Sequence, residues 1–193
     1  MELQSQDALI IVDLQNDFLP GGSLAVPDGD EVVPILNEYL QYFTQAGCAI
    51  YATRDWHPES HCSFREQGGP WPPHCIAGTT GAEFSEALQL PAEATIISKA
   101  TTADRDAYSG FEGTDLAERI RAAGCENLFI GGLATDYCVL NTVLDALREG
   151  FSVHVLRDAI RAVDVEAGDG ERAIERMAQN GADFLTLKEL RVQ

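Results

Sequence analysis

The sequence predicts an α/β fold in which helices cover both faces of a parallel sheet. Three observations support this. Short apolar runs recur along the chain, stretches of helical periodicity separate most of them, and the composition is globular, with 45% hydrophobic and 23% charged residues. The length of 193 residues suits one hydrophobic core, so we expect a single domain over residues 1–193.

Six apolar runs are the predicted strands. They are short and rich in branched residues, as expected of parallel strands that are buried on both faces. A carboxylate, Asp13, ends the first run, and an ammonium, Lys99, follows the third. The predicted strands span residues 8–13, 48–53, 95–98, 127–131, 152–156 and 184–187.

Four stretches with apolar residues every three or four positions are the predicted helices. They lie at residues 32–43, 116–123, 139–147 and 174–178, and the glycines that follow them are Gly47, Gly124, Gly150 and Gly181. Glycine favours the left-handed conformation that ends a helix. Right-handed crossovers would then place helices on both faces of the sheet, which makes the predicted fold a three-layer α/β/α sandwich.

Charge and cysteine content exclude several classes of function. A net charge of −18 repels nucleic acid and anionic membrane surfaces. No apolar stretch is long enough to span a membrane, and the N-terminus lacks the pattern of a signal peptide. Five cysteines without a CxxC pair indicate free thiols, so we expect a cytoplasmic protein. A homo-oligomer is compatible with the sequence.

Two long stretches without periodicity, residues 14–30 and 54–94, are candidate functional loops. The second contains Asp55, His57, His61 and His74, which offer one carboxylate and three imidazoles. Such a donor set suits zinc, iron(II) or manganese(II). The alternative is a loop with incidental polar residues. The remaining histidine, His154, alternates with valines in a predicted strand and is interpreted as structural.

Cys138 is the candidate nucleophile. It follows the paired glycines at the end of the fourth strand, where the next helix begins. A helix N-terminus lowers the pKa of a thiol and offers N–H groups to a developing oxyanion. The alternative is a small buried hydrophobic residue, which is the commoner role of cysteine.

Asp13 and Lys99 are the candidate partners of this thiol. A structural ion pair would also explain two charged residues at the ends of buried strands. In an open α/β sheet, however, ligands bind beyond the carboxyl ends of the strands, at the point where strand order reverses. Asp13, Asp55, Lys99 and Cys138 all follow strand ends, so one crevice could hold all four.

Five motifs resemble the nicotinamidase/pyrazinamidase branch of the isochorismatase-like cysteine hydrolases. The resemblance extends from about residue 8 to residue 187. The motifs are Asp13-Leu-Gln-Asn-Asp-Phe-Leu-Pro-Gly-Gly-Ser-Leu, the run Asp55 to His61, Trp71-Pro-Pro-His-Cys, Tyr108-Ser-Gly-Phe-Glu-Gly and Ala134-Thr-Asp-Tyr-Cys138. The resemblance implies a six-stranded sheet of order 3-2-1-4-5-6 and a catalytic triad of Asp13, Lys99 and Cys138.

The resemblance also implies the rest of the site. The N–H groups of Ala134 and Cys138 would form an oxyanion hole, next to a cis peptide between Leu133 and Ala134. The implied metal ligands are Asp55, His57 and His74, with His61 as a variable fourth that Glu66 could replace. The implied pocket residues are Phe18 and Trp71, which would sandwich a pyridine ring, and Tyr108 and Tyr137; the last stands where some relatives carry histidine.

The function implied is hydrolysis of nicotinamide to nicotinate and ammonia through a thioester on Cys138. Pyrazinamide is a further expected substrate, and the expected cofactor is one divalent ion, with zinc favoured over iron(II) or manganese(II). One alternative is an isochorismatase-type hydrolase of vinyl ethers, or another small-amide hydrolase. A second is a catalytically silent binding domain. A dinucleotide-binding module lacks support, because no glycine-rich loop follows the first strand.

Overall fold

The computed structural model describes residues 2–192 and contains one sheet of six parallel strands. The strands are β1 (Asp7–Val12), β2 (Ala49–Asp55), β3 (Thr95–Lys99), β4 (Asn127–Leu133), β5 (Ser152–Arg161) and β6 (Asp183–Leu185). Their order is β3-β2-β1-β4-β5-β6, and every neighbouring pair is parallel. This confirms the predicted fold class and the strand order.

Helices cover both faces of the sheet. They are α1 (Val32–Ala46), α2 (Leu116–Ala122), α3 (Leu140–Arg148), α4 (Asp169–Gln179) and α5 (Leu187–Val192). Apolar residues of α1 and α5 pack on one face, and those of α2, α3 and α4 on the other. Gly47 ends α1 as predicted, with φ of 72° and its N–H bonded to Phe43 and Thr44 carbonyls. No helix within residues 2–192 combines the length and apolarity of a membrane span.

The central strand β1 is buried on both of its faces. Leu9 and Ile11 point into the layer that contains α1, whereas Ala8, Ile10 and Val12 point into the opposite layer. All five side chains are fully buried. Burying one such branched side chain contributes about 1.5–3 kcal/mol, so the end of β1 is a well-anchored platform for the residue that follows it.

Five predicted strand ends differ from the observed ends by one or two residues, and the end of the fifth strand differs by five. The sixth strand ends at Leu185, because Leu187 begins α5 and packs its side chain into the core. The fifth strand continues to Arg161 beyond a register shift, since Ile130 pairs with the strand before the shift and Gly132 after it. The extension contains charged residues, which a search for apolar runs does not detect.

Candidate active site

The strand ends β1, β2 and β3 place three charged side chains together. Asp55 and Lys99 are register partners at the ends of β2 and β3, and Asp13 directly follows β1. Because β1 lies between β2 and β4, these residues flank the position where the strand order reverses. The crevice expected from the sequence therefore exists.

Lys99 uses its ammonium group to connect the cluster. Its Nζ donates to Oδ1 of Asp55 at 2.5 Å, to the carbonyl of Ala107 at 3.2 Å and to Sγ of Cys138 at 3.6 Å. The ammonium has three hydrogens, and it also forms an ion pair with Oδ2 of Asp13 at 3.0 Å. Lys99 is almost fully buried, so each of these bonds forms away from water.

Asp13 is fully buried and its two carboxylate oxygens differ. Oδ1 accepts a hydrogen bond from the Thr53 hydroxyl at 2.7 Å. Oδ2 lies 3.0 Å from the Lys99 ammonium, but it accepts no hydrogen bond from any residue of the described chain. Asp13 also adopts a left-handed backbone conformation with φ of 50°, which ends β1 and is uncommon for residues other than glycine. Oδ2 thus keeps a free acceptor position next to a positive charge.

Cys138 lies on a π-helical turn, residues Thr135–Val139, between β4 and α3. Its Sγ, a carboxylate oxygen of Asp13 and one of Asp55 all lie within 4.8 Å of one another. Burial raises the pKa of the thiol well above its ordinary value. Lys99 alone would lower this pKa, and the carboxylates of Asp13 and Asp55 offset part of that lowering. The net shift is opposite to the one expected at a helix N-terminus, because the thiol is buried beside two carboxylates. These surroundings favour the protonated thiol.

The pKa values of the three charged groups depend on their burial and on the charges beside them. Burial raises the pKa of Asp13, although Lys99 opposes this. Burial alone would lower the pKa of Lys99, but Asp13 and Asp55 outweigh it and raise that pKa well above the usual value. Burial likewise disfavours the ionised form of Asp55, yet Lys99 and His57 hold its pKa below the usual range. Burial and the neighbouring charges therefore favour the cationic form of Lys99 and shift the pKa values of Asp13 and Asp55 in opposite directions.

One feature of the backbone beside the thiol matches the resemblance. The peptide between Leu133 and Ala134 is cis, as expected. The Ala134 carbonyl accepts hydrogen bonds from the N–H groups of Tyr137 and Val139, which curls the turn around Cys138. Gly132 has φ of 129°, and a Cβ there would lie 2.1 Å from the Val12 carbonyl oxygen. Only glycine lets β4 approach β1 so closely.

Three of the four predicted metal ligands come together. Ligand atoms of Asp55, His57 and His74 lie within 4.8 Å of one another, and all three residues are buried. Nδ1 of His57 bonds to the Ala100 carbonyl at 3.1 Å, and Nδ1 of His74 to the Pro72 carbonyl at 2.8 Å. Such bonds are typical of ligating histidines, because they fix the ring and leave Nε2 for the metal. Burial also lowers the pKa of His74, which favours the neutral form that ligates. This donor set fits a divalent ion.

The predicted fourth ligand lies outside this group. Both ring nitrogens of His61 bond to the protein, Nδ1 to the Ser63 hydroxyl at 2.7 Å and Nε2 to the Arg105 carbonyl at 3.1 Å. Its ring stacks on that of His57 with centroids 4.0 Å apart. His61 therefore supports a ligand and has no nitrogen free for an ion. The alternative, Glu66, is exposed and is likewise absent from the group.

An apolar pocket opens in front of the thiol. All four residues expected to bind substrate, Phe18, Trp71, Tyr108 and Tyr137, line it together with Cys138, Asp55, His57 and His74. The indole N–H of Trp71 donates to the Tyr108 hydroxyl at 3.0 Å, and the Trp71 ring meets that of Tyr137 edge-on at 5.1 Å. These contacts fix three aromatic walls of the pocket relative to one another.

Several residues of the site escaped the sequence analysis. Leu24 and Val26 line the pocket. They belong to the first long loop, which is predicted to be functional without either residue being singled out. Val163, from the connection after β5, also lines the pocket, and no motif marks it. Thr53 contacts Asp13, but in the sequence it looks like an ordinary strand residue. The pattern of side chains along one strand does not show which residue of the neighbouring strand each side chain contacts.

Known proteins resemble this chain over nearly its whole length. The isochorismatase domain family matches residues 7–189. The nicotinamidase of Escherichia coli (strain K12) is 38% identical, over 93% of this chain and 94% of its own. The pyrazinamidase of Pyrococcus horikoshii, solved in complex with zinc, has a TM-score of 0.91 and 53% identity, covering 94% of this chain and 99% of its own. An L. infantum protein solved in complex with nicotinate has a TM-score of 0.89 and 36% identity, covering 98% of this chain and 97% of its own.

Proposed function

This chain belongs to the isochorismatase family, and from that premise we infer that it is a nicotinamidase that hydrolyses nicotinamide to nicotinate and ammonia and also accepts pyrazinamide. One observation carries the inference. A buried thiol, carboxylate and ammonium lie at one side of an apolar pocket whose other side holds a metal-ligand set. One domain over residues 1–193 would carry the whole activity, and five free thiols support a cytoplasmic location.

The proton of Cys138 has one acceptor suited to it. Lys99 donates to Sγ at 3.6 Å, so the thiol hydrogen would be directed away from Lys99. A carboxylate oxygen of Asp13 lies within 4.8 Å of Sγ, and Oδ2 of Asp13 accepts no hydrogen bond in the described chain. We assign Asp13 as the general base, and Lys99 as the cation that stabilises the thiolate once the proton has left.

The thiolate then attacks the amide carbon and forms a tetrahedral oxyanion. The N–H groups of Ala134 and Cys138 are assigned to that oxyanion, where one donor contributes about 100- to 1,000-fold to the rate. Asp13 returns its proton to the amide nitrogen, ammonia leaves, and a thioester remains on Cys138. Water hydrolyses the thioester, with Asp13 taking the proton of the attacking water, and nicotinate and the free thiol are released.

In this proposal the pyridine ring of the substrate lies among the aromatic side chains of the pocket. Phe18 and Trp71 are assigned to the faces of the pyridine ring, and Tyr108 and Tyr137 to its edge. Asp55, His57 and His74 would hold one ion, and the zinc complex of the 53%-identical protein favours zinc. That ion would supply a Lewis acid for the ring nitrogen, which would orient the ring and draw electrons from it.

A vinyl-ether substrate of the isochorismatase type fits this pocket poorly. Such a substrate carries two carboxylates, and no lysine or arginine belongs to the pocket lining seen in the described chain. The nearest cation, Lys99, is already paired with two carboxylates. A neutral amide avoids this mismatch, because burying an unpaired charge is expensive.

The test is ammonia release by the zinc-loaded protein. Nicotinamide and pyrazinamide should both be turned over, and benzamide, which has the same shape without a ring nitrogen, should be turned over at least about 100-fold less efficiently. The Cys138→Ala variant is the control for contaminating amidases. Equal rates on benzamide and nicotinamide would contradict the assigned ring contact, and no ammonia release from any pyridine or pyrazine amide would contradict the function.

A further inference from the structure

Thr53 is a buried polar residue that meets the proposed base and has no assigned role. It lies on β2 and is fully buried. Its hydroxyl donates to Oδ1 of Asp13 at 2.7 Å, and its carbonyl accepts the Asp13 N–H at 3.2 Å. Thr53 thus holds both the main chain and the side chain of Asp13.

This contact fixes the plane of the Asp13 carboxylate. The carboxylate can rotate about its Cβ–Cγ bond, and the bond from the Thr53 hydroxyl to one oxygen holds the other oxygen beside Lys99. Oδ1 is occupied by Thr53, whereas Oδ2 keeps an unused acceptor position beside Lys99. Proton transfer needs donor and acceptor in hydrogen-bond reach, so a fixed Oδ2 is a requirement of the proposed chemistry.

Gly110 restricts the side chain of Thr53 in turn. A Cβ at Gly110 would lie 2.7 Å from Cγ2 of Thr53, which is too close for two carbon atoms. The Thr53 methyl therefore lies close to the backbone at Gly110, while its hydroxyl is directed at Asp13.

We propose that Thr53 is a positioning residue that holds Asp13 with Oδ2 facing the Cys138 thiol. The proposal rests on the function inferred above and adds a residue outside the triad to its proton path. Removal of the hydroxyl should slow thiol deprotonation while leaving the substrate pocket unchanged, because Thr53 is not among the residues that line the pocket in the described chain.

Three variants separate positioning from packing. Thr53→Val keeps the shape and removes the hydroxyl, and Thr53→Ser keeps the hydroxyl. Thr142→Val is the matched control, because it makes the same change at a residue that is also fully buried, and the Thr142 hydroxyl bonds to Gly110 and not to Asp13. We expect kcat on nicotinamide to fall about tenfold or more in Thr53→Val with KM within twofold, and to stay within about threefold of wild type in the other two.

A second readout needs no substrate. The rate at which iodoacetamide alkylates Cys138, measured by peptide mass mapping, reports how easily the thiol loses its proton. It should fall in Thr53→Val and recover in Thr53→Ser. If wild-type protein turned over no nicotinamide, the inferred function would fail, and the alkylation rates would still test Thr53.

Three results would overturn the proposal. The first is a Thr53→Val protein with both kcat and alkylation rate within twofold of wild type. The second is Thr53→Ser as impaired as Thr53→Val, and the third is Thr142→Val as impaired as Thr53→Val, since both would indicate packing alone. If Thr53→Val did not fold, Thr53→Ala should show the same loss of kcat and alkylation rate and is judged by the same limits.

Discussion

Asp13→Asn tests whether the buried carboxylate is a base or only a partner of Lys99. Asparagine keeps the shape of the side chain, and its amide oxygen can still accept the hydrogen bond from Thr53. It removes the negative charge near Lys99 and the oxygen that takes the thiol proton. The two roles predict different results for stability and for turnover.

The loss of stability should be moderate. Deleting one partner of a buried ion pair typically costs about 3–5 kcal/mol, because the other charge is left without compensation. Here Lys99 keeps a second partner, since Asp55 Oδ1 lies 2.5 Å from its Nζ. What disappears is the ion pair at 3.0 Å between Lys99 and Asp13. Because Asp55 still compensates the ammonium, we expect a loss below that range, at about 1–3 kcal/mol.

The loss of turnover should be larger. A positioned general base contributes about 100- to 10,000-fold, and in the proposed mechanism Asp13 both takes the thiol proton and returns it to the amide nitrogen. A 100-fold loss corresponds to about 2.8 kcal/mol in the activation barrier. Burial already raises the pKa of the Cys138 thiol, so few thiolates form without a base and little residual rate is expected.

The assay is ammonia release from nicotinamide per folded molecule, with urea unfolding of the same preparation. Asp7→Asn is the matched control. Asp7 begins β1, is also buried and accepts a hydrogen bond from Asn127 at 2.8 Å, but it lies at the opposite end of the strand. It should lose stability and keep its turnover. Folded Asp13→Asn protein within tenfold of the wild-type rate would refute the role of Asp13 as base.

Three further changes test other parts of the site. Cys138→Ala should still bind nicotinamide in calorimetry and release no ammonia; persistent turnover would remove Cys138 as the nucleophile. His61→Ala should retain one zinc per chain by elemental analysis, whereas His74→Ala should lose it, and the reverse would make His61 a ligand. Gly132→Ala should lower the free energy of unfolding by about 3 kcal/mol or more, because the added Cβ meets the Val12 carbonyl oxygen at 2.1 Å; an unchanged urea midpoint would contradict this close approach.

The sequence predicted the features that depend on a single strand or helix. Apolar runs bounded by charged residues located the strands, and a glycine after each helical stripe located the helix ends. Placing Asp13 and Lys99 after strands then predicted their meeting, because parallel strands share one carboxyl edge. The strand order came from the resemblance, since periodicity does not tell which strands are neighbours.

The parts that the sequence did not predict depend on contacts between elements. His61 is a histidine in the same loop as the candidate ligands His57 and His74. Only its bonds to Ser63 and Arg105 distinguish it from them in this structure. The pKa of Cys138 was expected to fall, because its place before a helix was visible and its burial between two carboxylates was not. Thr53 was missed for the same reason, since its role comes from its neighbour across the sheet.

The two long loops hold their shape through side chains that replace missing backbone pairing. Beyond the last rung between β1 and β2, the Gln15 amide accepts the Asp55 N–H at 2.8 Å and donates to the Asp55 carbonyl at 2.7 Å. It therefore acts as one more rung. Asp17 likewise accepts the Cys75 N–H at 2.7 Å, directly after His74. A buried polar group must be satisfied, so these bonds fix both loops, and the metal-ligand geometry is determined by residues that are not ligands.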